Sequence, residues 1–254
     1  MMTSAHGIRS GVCALGLGCL MAFSGIRAHC QDGAGGMGGG EADRHMSEEL
    51  PPEPVRDPLR PFNKGMYHVN DKMYFWLLKP AAQGYKAVVP EGVREGIRNM
   101  FTNLGVPKRV VNCLLQGKFQ GTADECSRFF INSTVGVLGY RDAASDTFKI
   151  REWDEDFGQT LGSYGIGYGI YLTWPFLGPS NPRDTVGFVG DMFLDPFAYA
   201  FEDLAVRLAV GAYDRVNATS LRLGEYEENK ELALDHYTWM RETYTQYRGN
   251  LIEE

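Results

Sequence analysis

The chain has 254 residues, of which 44% are hydrophobic and 22% are charged, as in an ordinary globular protein. This composition excludes a chain that is disordered throughout. The formal net charge of −7 argues against nucleic acid as a partner, because phosphate binding needs a clustered basic face.

Residues 1–30 are predicted to be an export signal. A basic start that ends at Arg9 is followed by the apolar stretch 12–26, which is shorter than the roughly 20 residues of a membrane-spanning helix. The signal could end at a lipid-modified Cys30, at a lipid-modified Cys19, or by simple cleavage after Ala28 without a lipid. We take Cys30 as the predicted lipid anchor and leave the unlipidated form open.

Residues 31–56 are glycine-rich and then acidic and proline-rich, which predicts a flexible tether with an r.m.s. span on the order of 25–30 Å. Residues 57–254 form the predicted helical domain. This domain contains Cys113 and Cys126, which could form a disulfide in an oxidising compartment or remain separate, small apolar side chains.

Apolar side chains recur at steps of three and four along the first half of the domain, which predicts amphipathic helices. The first is expected to have Asp57 as its N-cap and to end at Pro80. A second is expected from about residue 90 to Gly105, and a third from about residue 107 to Gly117, with glycine as the stop signal in both. A fourth spans about 121–135.

The second half of the domain is less regular. Residues 136–158 lack periodicity and are predicted to form a long polar loop. Residues 185–213 are apolar, are divided by Pro196, and carry charges too frequently for a plain membrane span. Residues 226–247 predict one amphipathic helix with a tyrosine-rich stripe. Because no alternation of period two is found, the predicted fold class is all-α, in a single domain.

Glycines and aromatic residues alternate in the segment GSYGIGYGIYLTWPFLGPSNPRD, residues 162–184. Its glycines do not match a dinucleotide fingerprint, because the third glycine would fall at Ile170 and no strand is predicted before it. Two interpretations remain. The segment is either a glycine-rich turn whose aromatic side chains fill the core, or a surface that meets lipid, since tyrosine and tryptophan favour the boundary between water and hydrocarbon.

Catalytic chemistry is not predicted. After the tether the chain has only two histidines, His68 and His236, and each lies within a helical pattern. The sequence GSYG at Gly162 lacks the spacing of a nucleophile elbow. The acidic run 154–156 is interpreted as a solvated loop rather than a cation site. The sequence therefore predicts no catalytic residue, no metal ion and no cofactor.

Four segments carry a resemblance to a known family: DPLRPFNKGMY (57–67), NLGVPKRVVNCLLQG (103–117), RFFINSTVGVLGYRDAA (128–144) and DFGQTLGSYGIGYGIYLTWPFLGPSNPRD (156–184). In order and spacing they closely resemble the MlaA/VacJ family of outer-membrane lipoproteins. The match extends from residue 57 to about 213. One departure is Gly169-Ile170-Tyr171, where the family has Gly-Pro-Tyr, and this relaxes a constrained φ.

The resemblance implies an all-helical ring around a central channel, embedded in the periplasmic leaflet of the outer membrane of a Gram-negative bacterium. It implies a trimeric outer-membrane porin and a soluble periplasmic lipid-carrier protein as partners. Phospholipids that have strayed into the outer leaflet would pass through the channel to the carrier, without covalent chemistry. The alternative is a periplasmic scaffold or adaptor in which the tyrosine stripe and the glycine-aromatic segment bind protein and no lipid passes.

Under this resemblance, residues 162–184 are expected to shape the lipid path. Asp184 is expected to cap the next helix, and Arg183 could face a lipid phosphate. The family's mobile loop beside the pore is assigned to residues 139–153. The candidate lipid-path residues are Tyr164, Gly165, Gly167, Tyr168, Tyr171, Trp174, Phe176 and Arg183.

Overall fold

The computed structural model describes residues 55–253, so the predicted signal, most of the tether and Cys30 lie outside the described residues. Helices dominate the described part, and one short hairpin interrupts them. The elements are α1 (Arg60–Met73), a π-helical turn (Tyr74–Leu78), α2 (Lys79–Val88), α3 (Glu91–Leu104), α4 (Val106–Leu115), α5 (Phe119–Thr134), α6 (Ala143–Asp146), α7 (Phe157–Ser163), β1 (Leu172–Trp174), β2 (Gly178–Ser180), α8 (Pro182–Leu194), α9 (Pro196–Ala200), α10 (Leu204–Leu221), α11 (Glu225–Leu232) and α12 (His236–Glu253).

The first helical run continues through Pro80, so the prediction that Pro80 ends the helix is wrong. A proline in a regular helix removes one hydrogen bond and clashes with the carbonyl four residues earlier. Here the residues before it form a π-helical turn, in which the Lys79 N–H donates to the Tyr74 carbonyl five residues back. This wider turn lets the helix pass the proline.

Asp57 is not the N-cap of α1, in contrast to the prediction. The cap position is Leu59, without a side-chain hydrogen bond. The Asp57 carboxylate is used in tertiary contacts instead: it accepts hydrogen bonds from Asn63 Nδ2 at 2.8 Å and from the Tyr237 hydroxyl. Arg241 Nη1 lies 3.6 Å from the same carboxylate. Asp57 therefore ties the start of the domain to α12.

The glycine stop signals of the next two helices are confirmed. Gly105 follows the last residue of α3, and Gly117, at φ +73°, follows α4 in the left-handed conformation that glycine tolerates. The fourth predicted helix is α5. The irregular segment after it is also confirmed, apart from the single helical turn α6.

The hairpin β1–β2 was not predicted. The two strands pair antiparallel, with Leu172 opposite Ser180 and Trp174 opposite Gly178. Each strand has three residues, which is too short for an alternating pattern to be recognised.

The C-terminal region is two helices, not the one helix predicted for 226–247. The chain is extended at Ala233 after α11, and Asp235 then accepts a hydrogen bond from the Tyr237 N–H at 3.2 Å, as an N-cap does. By contrast, the predicted division at Pro196 is confirmed, with Asp195 capping α9. The tyrosine stripe packs on the body, where Tyr237 and Met240 are buried.

Polar groups occupy most of the interior. Among residues 55–253, ten apolar side chains are buried, against twenty-three polar or charged ones, and twenty-nine large apolar side chains are exposed. In water-soluble proteins this distribution is normally reversed. Helix α5 is an example: Phe130 is 69% exposed, whereas its buried residues are Gly121, Glu125, Arg128 and Asn132.

A buried arginine holds α12 against two other helices. Arg248 donates two hydrogen bonds to Asp156 at the start of α7 (2.6 and 3.0 Å) and one to Asp184 in the first turn of α8 (2.8 Å). Burial alone would raise the pKa of both carboxyl groups. The Arg248 guanidinium outweighs that effect and holds the pKa of each below its ordinary value.

We expect Arg248→Met to lower the free energy of unfolding by about 3 kcal/mol. This is near the lower end for breaking a buried ion pair, because Asp156 keeps some contact with solvent. Urea denaturation followed by circular dichroism measures the change. The matched control is Arg60→Met, at an exposed position of α1, which should shift the free energy by less than about 0.5 kcal/mol. Equal losses in the two variants would contradict the role of Arg248.

Candidate functional site

Two asparagines of α1 hold the glycine-aromatic segment in place. Asn63 donates to the Tyr171 carbonyl and accepts from the Thr173 N–H, both at 2.9 Å. Two helical turns later, Asn70 donates to the Trp174 carbonyl at 2.9 Å and accepts from the Phe176 N–H at 2.7 Å. Each side-chain amide thus supplies the donor and acceptor that a neighbouring strand would supply. This pairing, invisible to sequence periodicity, explains why so short a hairpin is ordered.

The candidate lipid-path residues separate into two groups, one of which is exposed. Tyr164 is 63% exposed and donates from its hydroxyl to the Leu115 carbonyl at 2.5 Å. Gly165, at φ +85°, and Gly167 follow it, and a Cβ atom on either would meet open space. Phe176, also exposed, lies at the turn of the hairpin with φ +67°. Residues 164–167, which we call the exposed tip, therefore present aromatic and bare backbone surface, and the hairpin turn presents the exposed ring of Phe176.

The second group is buried or half-buried. Tyr171 is 1% exposed and belongs to the apolar core with Tyr67, Tyr237 and Met240, so its predicted place at a lipid interface is not supported by its position. Tyr168 and Trp174 are half-buried. Their polar ends bond to protein, to Thr245 Oγ1 at 2.9 Å and to Thr185 Oγ1 at 3.0 Å. The positions of these residues favour the core-filling interpretation.

Arg183 is also buried, and it pairs with Asp184, since its Nε donates to Asp184 Oδ1 at 3.0 Å. Its Nη2 has no hydrogen-bond partner within the described part of the chain. The expectation that Asp184 caps α8 is wrong, because the cap is Asn181, whose side chain accepts from the Asp184 N–H at 2.8 Å. The Asp184 carboxylate is directed instead to the cluster with Arg248 and Tyr244.

A chain of hydrogen bonds runs through the polar interior and joins α4, α7 and α8. Asn112 connects Asp191 Oδ1 on one side with Thr160 Oγ1 on the other, at 3.0 Å each. Gln116 continues the chain from Thr160 (3.2 Å) to Glu155 (2.8 Å). Sequence analysis missed these residues, since the periodicity of α4 marks only its apolar face.

Residues 139–153, the candidate mobile loop, are tied to α5. Arg128 donates to Ser145 Oγ (2.6 Å), to the Ile150 carbonyl (2.8 Å) and to Asp142 (2.9 Å). Glu125 accepts from the Trp153 N–H at 2.8 Å. Any movement of this loop would have to break these contacts.

The two cysteines of the domain are both free, Cys113 buried and Cys126 exposed, so the disulfide that was considered is not formed. Burial raises the pKa of the Cys113 thiol to about 12. Of the helices in residues 55–253, none combines the length and the hydropathy needed to cross a membrane.

Amphipathic helices with polar inner faces and apolar outer faces define a class of protein whose surroundings are at least partly hydrocarbon. The particular family is shown by comparison with known proteins. The MlaA lipoprotein model matches residues 55–251, and the chain belongs to that family.

Named relatives agree with this assignment. The lipoprotein MlaA of the intermembrane phospholipid transport system of Escherichia coli (strain K12) is 33% identical over 195 residues, covering 75% of this chain and 76% of the relative. The Haemophilus influenzae protein of the same name is 32% identical over 196 residues, covering 75% and 76%. An uncharacterised Rickettsia prowazekii protein is 32% identical over 146 residues, covering 57% and 58%.

A solved structure, from work on the structural basis for maintenance of bacterial outer membrane lipid asymmetry, has a TM-score of 0.68 and 29% identity to this chain. The likeness covers 78% of this chain and 99% of the other. The predicted all-α fold, with the ring arrangement of this family, is confirmed.

The stability of the fold is expected to depend on pH through the buried Asp191. Burial raises its pKa to about 6, although Lys108 Nζ, 3.8 Å away, favours the charged form. In the unfolded chain an aspartate has a pKa of about 3.9. Its protonation therefore stabilises the fold fully below about pH 4, and this contribution is lost as the pH rises through 6.

We expect the unmodified chain to lose stability as Asp191 ionises between pH 5 and 7. The free energy of unfolding of Asp191→Asn should therefore rise relative to that of the unmodified chain over this range. The asparagine oxygen can still accept from Asn112 Nδ2 and the Phe157 N–H, which both bond to Oδ1. Urea denaturation at several pH values measures the difference. Asp214→Asn should behave in the same way, because burial raises the pKa of Asp214 to about 6 as well. If the free energy of unfolding of the variant differs from that of the unmodified chain by the same amount at every pH, the raised pKa is refuted.

Proposed function

We propose that this chain is the outer-membrane component of a retrograde phospholipid transport system. It removes mislocalised phospholipids from the outer leaflet through an amphipathic channel and passes them to a soluble periplasmic carrier, which preserves the lipid asymmetry of the membrane. The observation that carries this proposal is the reversed burial of the domain, with polar side chains inside and large apolar side chains outside. The names of the MlaA relatives support the same process.

The reversed burial suits a protein held within one leaflet. The exposed phenylalanines, leucines and valines of α3, α4 and α5 can lie against acyl chains, where apolar side chains have no unfavourable contact with water. The buried arginines, asparagines and carboxylates remain bonded to one another or face a wet channel. Helices of 10 to 16 residues, such as α4 and α5, suit an interfacial position better than a complete crossing.

We assign the protein to the periplasmic leaflet of the outer membrane, anchored by a lipid on Cys30 and associated with a trimeric porin. The tether of residues 31–56 is long enough to let the domain reach its place from such an anchor. Carboxylates concentrate on α11, where Glu225 and Glu228 are exposed, and this helix is suited to face water and not hydrocarbon. No catalytic step is included, since lipid movement requires no bond to be broken.

Within the segment 162–184, the exposed tip of residues 164–167 and the exposed Phe176 are the parts best placed to touch a passing lipid. The glycines of the tip allow close approach to the backbone. Tyr168, Tyr171, Trp174 and Arg183 instead hold the rest of the segment against the body, through the contacts described above. The scaffold or adaptor alternative loses one of its two supports, because the tyrosine stripe is used in packing on the body.

We expect cells that lack this protein to expose phosphatidylethanolamine at the surface, where a membrane-impermeant amine reagent labels it. The unmodified gene should restore the low level of labelling. Ile166→Asp, at the exposed tip, should restore it only in part, because a charge there repels acyl chains. Leu234→Asp, in the linker before α12, is the matched control and should restore it fully. If labelling is unaffected by loss of the gene, the proposed function is wrong.

Lipidation of Cys30 is tested by the intact mass of the protein recovered from membranes. We expect a chain that begins at Cys30 and carries three acyl chains. Cys30→Ser should remove the acyl mass and move part of the protein to the soluble fraction. A mature chain that begins at His29, or at any other residue without acyl chains, would rule out the anchor.

A further inference from the structure

The chain after α5 makes an unusual turn. Val137 (φ 55°), Leu138 (φ 57°) and Gly139 (φ 87°) are three consecutive residues in the left-handed region. Glycine adopts this conformation readily, but a branched side chain such as valine does so only against strain. We call residues 136–140 the left-handed turn.

Contacts on both sides hold the left-handed turn in one conformation. The Gly139 N–H donates to the Asn132 carbonyl at 2.7 Å, and the Arg141 N–H donates to the Gly136 carbonyl at 2.9 Å. A Cβ atom on Gly139 would lie 2.5 Å from Asn103 Cβ. A Cβ atom on Gly96 of α3 would overlap the ring of Tyr140. The strain is therefore retained by close packing against α3 and the end of α5.

The side chains that this strain presents are apolar and face outward. Val137 is 65% exposed and Leu138 is 68% exposed, beside Val135 at 62%. A turn that only reversed the chain would carry glycine or asparagine at these positions. Strained backbone combined with outward apolar side chains indicates a surface that is built to contact something.

The residues on either side of the turn indicate the kind of material that the turn is suited to contact. The turn continues the apolar face of α5, where Phe130 is 69% exposed. The next charged residue after the turn is Arg141, which is exposed. Apolar side chains followed by an outward cation match hydrocarbon bordered by anionic phosphate. A protein groove would match the apolar side chains but would give no reason for the cation beside them.

We propose that the left-handed turn is a membrane wedge, which inserts Val137 and Leu138 among the acyl chains of an anionic phospholipid leaflet while Arg141 binds lipid phosphate. The proposal rests on the proposed function, since it assumes that the domain resides in a leaflet. It adds which edge of the domain enters the hydrocarbon and which lipid charge that edge prefers.

The test is flotation with vesicles of phosphatidylethanolamine and phosphatidylglycerol, and it uses the full-length protein with Cys30→Ser, because three acyl chains would hold any variant on the vesicles. This protein serves as the unmodified protein to which each further substitution is added. The double variant Val137→Asp/Leu138→Asp should reduce the partition coefficient by about tenfold or more, because two apolar anchors are replaced by charges. The matched control is Leu232→Asp/Leu234→Asp, a pair that is even more exposed but lies beside the acidic helix α11. This control should change binding by less than about twofold.

A second variant separates membrane contact from folding. Leu138→Gly relieves the positive-φ strain and removes the apolar side chain, so it should raise the melting temperature and yet weaken vesicle binding. Arg141→Gln should weaken binding roughly fivefold to vesicles with phosphatidylglycerol and have no effect on vesicles of phosphatidylcholine alone. A purely structural turn would show neither pattern.

The outcomes distinguish this inference from the proposed function. If the unmodified protein binds vesicles and the double aspartate variant binds equally well, the wedge is refuted while leaflet residence stands. If the unmodified protein does not bind vesicles, the proposal that the domain lies in a leaflet and the proposal of the wedge are both refuted. If the double variant loses binding only as far as the Leu232/Leu234 control does, the effect is general charge repulsion and the wedge is likewise refuted.

Discussion

The rest of the structure depends on one constraint, the pairing of buried charges, which Arg248 and its two carboxylate partners show most clearly. A charged group that is taken out of water must be paired and hydrogen-bonded, or the fold is strongly destabilised. In this domain the helices bury such groups against one another, and each pairing then determines which helices are neighbours. Arg248 joins α12 to α7 and α8 in this way. Arg109, with Nε 2.8 Å from Glu125, joins α4 to α5.

Because polar pairing holds the interior, the apolar faces are left for the outside. A conventional core would have drawn Phe129 and Phe130 of α5 inward, whereas here both are exposed. Hydrogen bonds have direction and fixed partners, so a polar interior specifies helix positions more narrowly than apolar contact does. The same property fixes the hairpin, since Asn63 and Asn70 bond to its backbone and hold Phe176 at its turn.

The sequence predicted several helix ends from local signals, although the local signal at Pro80 misled. Gly105 and Gly117 end helices and Pro196 divides one, because backbone freedom and a missing N–H act within a few residues. It predicted the candidate site only in part. Tyr164 is exposed as a lipid-contacting residue should be, whereas Tyr171, of the same residue type and seven positions later, is buried in the core. Residue type alone could not separate them, since tyrosine suits both environments.

The two failed capping predictions share one physical cause. Asp57 and Asp184 both stand where a capping carboxylate is expected, yet each carboxylate is taken by distant residues, Tyr237 in one case and Arg248 in the other. Competition between a local and a distant partner depends on which chain segments meet, and a sequence pattern does not contain that information.

By itself, then, the sequence determined that this is a chain of short amphipathic helices with a glycine-aromatic segment, and through four ordered segments it determined the family. Periodicity shows that a helix has two faces, but it does not show which face is turned inward. Only the tertiary structure decided that the polar faces of α4 and α5 are inside, and that Tyr171 and Arg183 are buried. Burial is a relation between elements, and it is settled by which buried charges find partners when the helices come together.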